Sequence, residues 1–194
     1  MNIELIEHIH RYVTLSEEEK SALLPCFRTI TVARKELLHR EGDICKSLYF
    51  VEKGCLRMFY IDEKGTEHTT QFALEGWWLA DFMSVSMQKP SHFYIQSVEQ
   101  SMLLVLDSSR EEELFAAVPA MERYFRLIYQ RAYAALQMRI KYLHDMSKEE
   151  SYFDFSSKFP EFTQRIPQYM LASYLGFTPE YLSELRKKGG KTSS

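Results

Sequence analysis

The sequence has few cysteines, few long apolar runs and no surplus of positive charge, and each shortage removes a class of function. Cys26, Cys45 and Cys55 are odd in number, widely spaced and without a C-x-x-C pair. They read as small buried hydrophobes in a reducing compartment, not as a disulfide framework or metal cluster. No apolar run approaches the ~18 residues that span a bilayer; stretches such as Met102–Leu106 are as long as they come. The opening MNIELIEHIH carries acids early and no basic n-region, so no signal peptide is expected and the expected compartment is cytoplasmic. A formal net charge of −3 argues against a nonspecific nucleic-acid coat. Walker A, G-x-S-x-G and H-E-x-x-H patterns are all missing. A cupin-like metal site would need two histidines close together on a strand. His68 has no such neighbour, and His8 and His10 fall on a helix, facing different ways. An enzyme is therefore not expected, nor a metal or cofactor.

What charge there is sits unevenly. Residues 1–118 carry a net −7, residues 119–162 a net +1 and residues 163–194 a net +3. The basic end coincides with IPQYMLASYLGFTPEYLSELRKK, Ile166 to Lys188, in which two short helical patterns flank a glycine. The first, Gln168 to Leu175, puts Leu171, Ala172 and Leu175 on one face. Gly176 suits the left-handed backbone of a tight turn. Thr178 then offers an N-cap, and Pro179 takes the first helical position, where its missing N–H costs nothing. Leu182 and Leu185 face inward with Leu175 and Phe177, Lys187 and Lys188 fall in the last turn, and Gly189 and Gly190 end the helix. Two helices joined by a short Gly-containing turn make a helix-turn-helix, and Ala172 must be small where they cross. Glu180, Tyr181, Ser183, Glu184, Arg186 and Lys187 are left on the outer side, able to enter a major groove.

Upstream, Ile3, Ile6, Ile9 and Val13 mark an amphipathic helix, and Ser16 with Glu19 forms a capping box that starts a second helix, ending near Pro25. From Thr29 to Leu106 short runs rich in Val, Ile, Tyr, Phe and Thr follow, among them Leu48–Val51, Leu56–Ile61, Thr69–Phe72, Phe93–Val98 and Met102–Leu106. Gly42, Gly54, Gly65 and Gly76 punctuate them at near-regular intervals, which predicts about eight antiparallel strands with a hairpin tip at Glu63–Gly65. Helix follows over Arg110–Ala117, and Pro119 opens a long one reaching about Met146. Met121, Phe125, Ile128, Ala132, Ala135, Arg139 and Tyr142 repeat at alternating steps of four and three, a longer apolar stripe than one small β-roll can cover. A partner helix is expected, most simply the same helix of a second subunit. Lys148 to Lys158 adds another helix, ending at Pro160. The fold class is thus α+β: an antiparallel β-roll of double-stranded jelly-roll type (1–118), a long dimerisation helix (119–146) and a C-terminal helix-turn-helix domain (147–194).

That order of parts resembles the CRP/FNR family of bacterial transcription regulators. The marks are EGD at Glu41–Asp43, LYFVEKG at Leu48–Gly54, EGWW at Glu75–Trp78, FPEF at Phe159–Phe162 and, above all, Pro167–Lys188. The resemblance implies a homodimer that reads an inverted repeat in double-stranded DNA, with RNA polymerase as a further partner. It implies phosphate contacts from Arg186, Lys187, Lys188, Gln168 and Tyr169, and base-edge contacts from Thr178, Glu180, Tyr181, Ser183 and Glu184. Glu184 stands where many relatives carry Arg. The sequence stops at Ser194, so the family's β-hairpin wing is expected to be absent.

The family's cyclic-nucleotide sites use a Gly-Glu pair and an Arg-Ser pair. Here Ala80 stands for the Gly and Asp81 for the Glu, and the Arg falls on or beside Ser91, with His92 and Phe93 following. Tyr124 and Phe125 face where the nucleotide base would lie. Without the Arg a phosphate lacks its bidentate partner, so cyclic AMP is not expected to bind. Gly76, Trp77 and Trp78 complete the candidate pocket, open to another effector or filled by side chains. An iron–sulfur centre would need an N-terminal cysteine cluster that is missing. The competing reading is a ligand-sensing or protein-binding module that no longer touches DNA, because Glu180 and Glu184 lie on the groove face.

Overall fold

A computed structural model describes residues 3–189. Two helices come first, α1 (Ile3–His10) and α2 (Glu17–Leu23). The capping box at the start of α2 forms in both directions: the Ser16 hydroxyl accepts the Glu19 amide at 3.2 Å, and the Glu19 carboxylate accepts the Ser16 amide at 2.8 Å. After a single 3₁₀ turn the strands follow: β1 (Phe27–Val32), β2 (Leu37–His39), β3 (Ser47–Lys53), β4 (Leu56–Ile61), β5 (Glu67–Ala73), β6 (Trp78–Leu79), β7 (Tyr94–Ser97) and β8 (Ser101–Asp107). They form two four-stranded sheets, ordered β1-β8-β3-β6 and β2-β7-β4-β5. Phe27 faces Leu106 across β1 and β8, and Phe50 faces both Leu104 of β8 and Trp78 of β6. The two sheets enclose a core of Leu48, Phe50, Leu56, Ile95, Leu103 and Leu104, with Leu5 and Ile9 of α1 packed into it.

A short helix, α3 (Phe82–Met87), interrupts the strands between β6 and β7. The sequence reading misses it because it is only six residues long and its Phe, Ser and Val are weak helix formers; its one signal is Asp81, which N-caps it. Then come α4 (Glu111–Ala117), α5 (Ala120–Asp145), α6 (Lys148–Lys158), α7 (Pro160–Arg165), α8 (Gln168–Leu175) and α9 (Pro179–Gly189). The helix α7 is the second one missed. Pro160 reads as a terminator from sequence but serves as the first residue of a new helix, where proline is tolerated. Gly190 lies outside the described residues.

The chain gathers into two compact units. The first comprises residues 1–60 and 71–131, and the second residues 132–194 with the tip of the β4–β5 hairpin, residues 61–70. The hairpin turn lies where the sequence places it. The Gly65 amide donates to the Asp62 carbonyl at 2.9 Å, and the Asp62 carboxylate accepts the Lys64 and Thr66 amides, both at 2.9 Å.

The long helix changes character along its length. Met121, Tyr124 and Phe125 are buried in the core of the first unit. Residues 131–138 are all exposed, and Tyr133 at 63%, Leu136 at 51% and Ile140 at 49% leave large apolar side chains uncovered. At 1.5 Å per residue its 26 residues span about 39 Å.

Candidate nucleic-acid interface and sensory pocket

The pair α8 and α9 closes as the sequence requires. Gly176 takes φ +74°, and the Phe177 amide donates to the Ala172 carbonyl at 2.8 Å. Thr178 caps α9, its hydroxyl accepting the Tyr181 amide at 3.3 Å. Ala172, Leu182 and Leu185 are fully buried, with Met170, Leu171, Leu175 and Phe177 around them. Burial of the six larger of these side chains, each contributing about 1.5–3 kcal/mol at most, makes this wedge the main source of the pair's stability.

The ten predicted contact residues lie on α8, on α9 and in the turn between them. Gln168, Tyr169, Thr178, Glu180, Glu184, Arg186, Lys187 and Lys188 are exposed, whereas Tyr181 and Ser183 are half-buried. Tyr181 packs edge-on to Phe177 at 5.6 Å between ring centres, and the Lys148 ammonium stands 5.9 Å over its other side. Lys188 forms a 3.5 Å ion pair with Glu149 of α6. That pair is open to solvent and therefore worth little on its own, so a phosphate could take Lys188 over. Arg186, Lys187 and Lys188 lie in the last turn of α9, beyond Glu180 in its first turn.

In the first unit the residues aligned with the cyclic-nucleotide site are brought together and closed on one another. The Asp81 carboxylate accepts the Met83 and Ser84 amides at 3.1 and 3.2 Å, and the Ser91 hydroxyl at 2.7 Å. Asp81, Ser84 and Ser91 are buried. The protein's own carboxylate thus occupies the start of α3, where an anionic ligand would otherwise seek those amides. Ala80, Trp78, Tyr124 and Phe125 are buried too. The Trp78 indole donates to the Tyr124 phenol oxygen at 2.8 Å, and that phenol meets His8 Nδ1 at 2.8 Å on its other side. The Trp78 and Phe125 rings are 5.1 Å apart. The Trp78, Tyr124 and Phe125 side chains thus pack against one another at this place in the first unit.

Two of the predicted pocket residues are elsewhere. Trp77 is 53% exposed, because neighbours in an extended run point to opposite faces and Trp78 takes the inner one. His92 is also exposed, and Phe93 is half-buried beside Tyr60. Gly76 lies next to the His8 ring. Sequence reasoning missed His8 because its contact with Tyr124 spans 116 residues, and it missed the Asp81 cap together with the short helix that Asp81 starts. An open cavity of about 580 Å³ adjoins this site, lined by Leu37, His39, Arg40, Asp43, Lys46 and Tyr49 among others, and the Ser91 amide donates to the Asp43 carbonyl at 2.8 Å.

Burial holds the His8 pKa near 4, with Arg11 and Arg131 acting in the same direction. The folded protein therefore favours neutral His8, and that stabilisation is complete above the ordinary value of about 6.5 and lost as pH falls from there towards 4. A fall in unfolding temperature across pH 6.5 to 4 that is absent in His8→Gln is expected from thermal melts. All three cysteines are buried, and burial raises the thiol pKa of Cys26 and Cys45. That suits inert thiols rather than a reactive sensor. Among the described residues no group of three or more His, Cys, Asp or Glu could hold a metal ion, and no helix is long and apolar enough to cross a membrane.

A β-roll of two four-stranded sheets, a long helix and a terminal helix-turn-helix follow one another along the chain. Comparison with known proteins places it further. The profile of the cyclic nucleotide-binding domain matches residues 29–117. The chain is 25% identical to an anaerobic regulatory protein of Haemophilus influenzae over 186 residues, 89% of this chain and 71% of that one. It is 27% identical to a fumarate and nitrate reduction regulatory protein of Yersinia pestis over 185 residues, 89% and 73% of the two chains. Among solved structures, the c-di-GMP-responsive global regulator CLP of Xanthomonas campestris superposes with a TM-score of 0.71 at 17% identity, covering 92% of this chain and 93% of that one. The Thermus thermophilus catabolite activator protein gives 0.56 at 20% identity, covering 92% and 85%. The chain carries a cyclic nucleotide-binding domain and is a homologue of the CRP/FNR regulators.

Proposed function

We propose that this protein is a CRP/FNR-type transcription regulator that binds an inverted repeat in double-stranded DNA as a homodimer, with α9 as the recognition helix. One observation carries the reading. The apolar side of α8 and α9 is wholly buried, while Gln168, Tyr169, Glu180, Glu184 and the Arg186–Lys188 run are exposed. The uncovered Tyr133, Leu136 and Ile140 supply the seam for a second copy of α5.

Arg186, Lys187, Lys188, Gln168 and Tyr169 position the duplex through phosphates, while Thr178, Glu180, Tyr181, Ser183 and Glu184 face base edges. Glu184 is a hydrogen-bond acceptor suited to cytosine N4. Band-shift titrations at two salt concentrations test this. Affinity should drop steeply with salt. Arg186→Ala should weaken binding to all sequences about tenfold or more and flatten the salt slope by ~2 per dimer, one per subunit. Glu184→Ala should relax preference at one base step per half-site and leave the slope alone. Identical effects of both variants across a site library would refute this division of roles.

The sensory cavity is degenerate in this reading. The Asp81 carboxylate already takes the amides of α3 and the Ser91 hydroxyl, and Tyr124 with Trp78 fills the space beside it. Calorimetry with cyclic AMP should give no sub-micromolar binding; a tight isotherm would contradict it. A second reading, a protein-binding module without DNA affinity, draws on the exposed Glu180 and Glu184. It expects no shift at either salt.

A further inference from the structure

The second unit joins pieces of chain that are far apart in sequence: the hairpin tip, the last turns of α5 and α8. Ser173 of α8 ties two of them. Its hydroxyl accepts the Thr69 amide at 2.8 Å and donates to the Glu67 carbonyl at 2.8 Å. Both belong to β5, an edge strand of its sheet, whose outward backbone groups need partners. Arg139 of α5 adds the third piece. Its guanidinium carbon lies 4.1 Å over the centre of the Tyr174 ring. One arm donates to the Tyr174 carbonyl at 3.0 Å and another to the Thr70 carbonyl.

The Tyr174 carbonyl is in the last turn of α8, where carbonyls lack an intrahelical donor and a cation is favoured. A planar, forked guanidinium can stack and donate twice at once; an ammonium cannot. Thr69 beside it is 3% exposed, and its hydroxyl finds no partner among the described residues, so the joint is closely packed. None of these bonds is needed to close the helix pair, which Ala172, Leu182 and Leu185 hold together.

We propose that Ser173 and Arg139 are positioning residues that clasp the reader to the hairpin tip and to the end of α5, and so set the half-site spacing the dimer accepts. This rests on the DNA-binding reading above. The clasp fixes the attitude of α8, and α9 moves with it because the wedge between them is buried. A fixed attitude tolerates one operator spacing; a released one tolerates several. Since β4 and β5 run on into their sheet, anything that displaced residues 67–70 would also free the reader.

The test measures binding of the full chain and of Arg139→Gln, Ser173→Ala and Ser173→Thr. The probes are the protein's selected inverted repeat and versions with the central spacer one or two base pairs longer or shorter. Exchange of the Thr69 amide is read alongside. Each added base pair turns a half-site by about 34°, at 10–10.5 base pairs per turn, so the wild type should lose about tenfold or more per step. Arg139→Gln and Ser173→Ala should lose less than about threefold per step, with Ser173→Thr keeping the wild-type profile and the Thr69 amide exchanging faster in Ser173→Ala. Spacing profiles that superimpose on the wild type, or a Thr69 amide that exchanges equally with and without the Ser173 hydroxyl, would overturn the clasp. A wild type that binds no operator fails the DNA reading instead; the exchange rates then decide the clasp on their own.

Discussion

Tyr124→Ala is expected to destabilise the first unit by about 4 kcal/mol or more, a large share of the 5–15 kcal/mol that a domain holds in reserve. Tyr124 is fully buried. Its ring packs against those of His8, Tyr12 and Phe125 at 5.8, 5.7 and 5.3 Å. Removing so large a core side chain costs roughly 3–5 kcal/mol in lost burial and cavity formation. The Trp78 indole and His8 also lose the phenol between them, and a buried donor left unpaired adds about 1–3 kcal/mol unless water replaces it. Tyr124→Phe keeps the ring and loses only the hydroxyl, so it should cost about 1–3 kcal/mol. Denaturant titration followed by the emission of buried Trp78 measures both. Equal costs for the two variants would mean that the cavity is not filled as described.

Gly54→Ala should cost a similar amount for an unrelated reason. Gly54 turns the chain from β3 into β4 with φ +106°, a region side chains rarely enter. An added Cβ would lie 2.7 Å from the Ser101 Cα and 2.6 Å from its Cβ. Ser101 cannot yield, since it is buried at the start of β8 and its hydroxyl accepts the Cys55 amide at 3.2 Å. Backbone strain of about 1–3 kcal/mol and overpacking of about 1–3 kcal/mol together predict a melting temperature lower by roughly 10 °C or more, at about 2–4 °C per kcal/mol for a chain of this size. Gly65→Ala is the control. No atom lies within 4 Å of its would-be Cβ, although its φ of +79° still carries strain. It should cost clearly less than Gly54→Ala.

The sequence made the reader legible because each of its signals is local. Thr178-Pro179, Gly176 and the apolar pairs three and four apart define α8 and α9 whatever surrounds them, and the structure draws both with the predicted starts. The strands were legible from glycine spacing, which needs no knowledge of pairing partners. The two missed helices have short-range explanations: α3 is six residues long and, apart from its two methionines, is Phe, Ser and Val, and Pro160 carries the same letter whether it ends one helix or begins another. The pocket was harder. Its packing depends on Asp81 reaching Ser91 and on Tyr124 reaching Trp78 and His8, contacts across ten to more than a hundred residues that no periodicity encodes. Trp77 and Trp78 illustrate the difficulty at its smallest scale. Two identical adjacent side chains take opposite faces, and only the strand register settles which is inside. The apolar excess of α5 was legible, but not where the helix leaves its own core, which is after Ile128 and not earlier.

The most direct test of the whole account is selection of bound sites from random double-stranded DNA, with the stoichiometry of the selected complex measured by light scattering. Two protein chains on a palindrome whose half-sites are centred ~34–36 Å apart is the predicted result. Failure to enrich any sequence, or enrichment of an unpaired motif by a single chain, would contradict it.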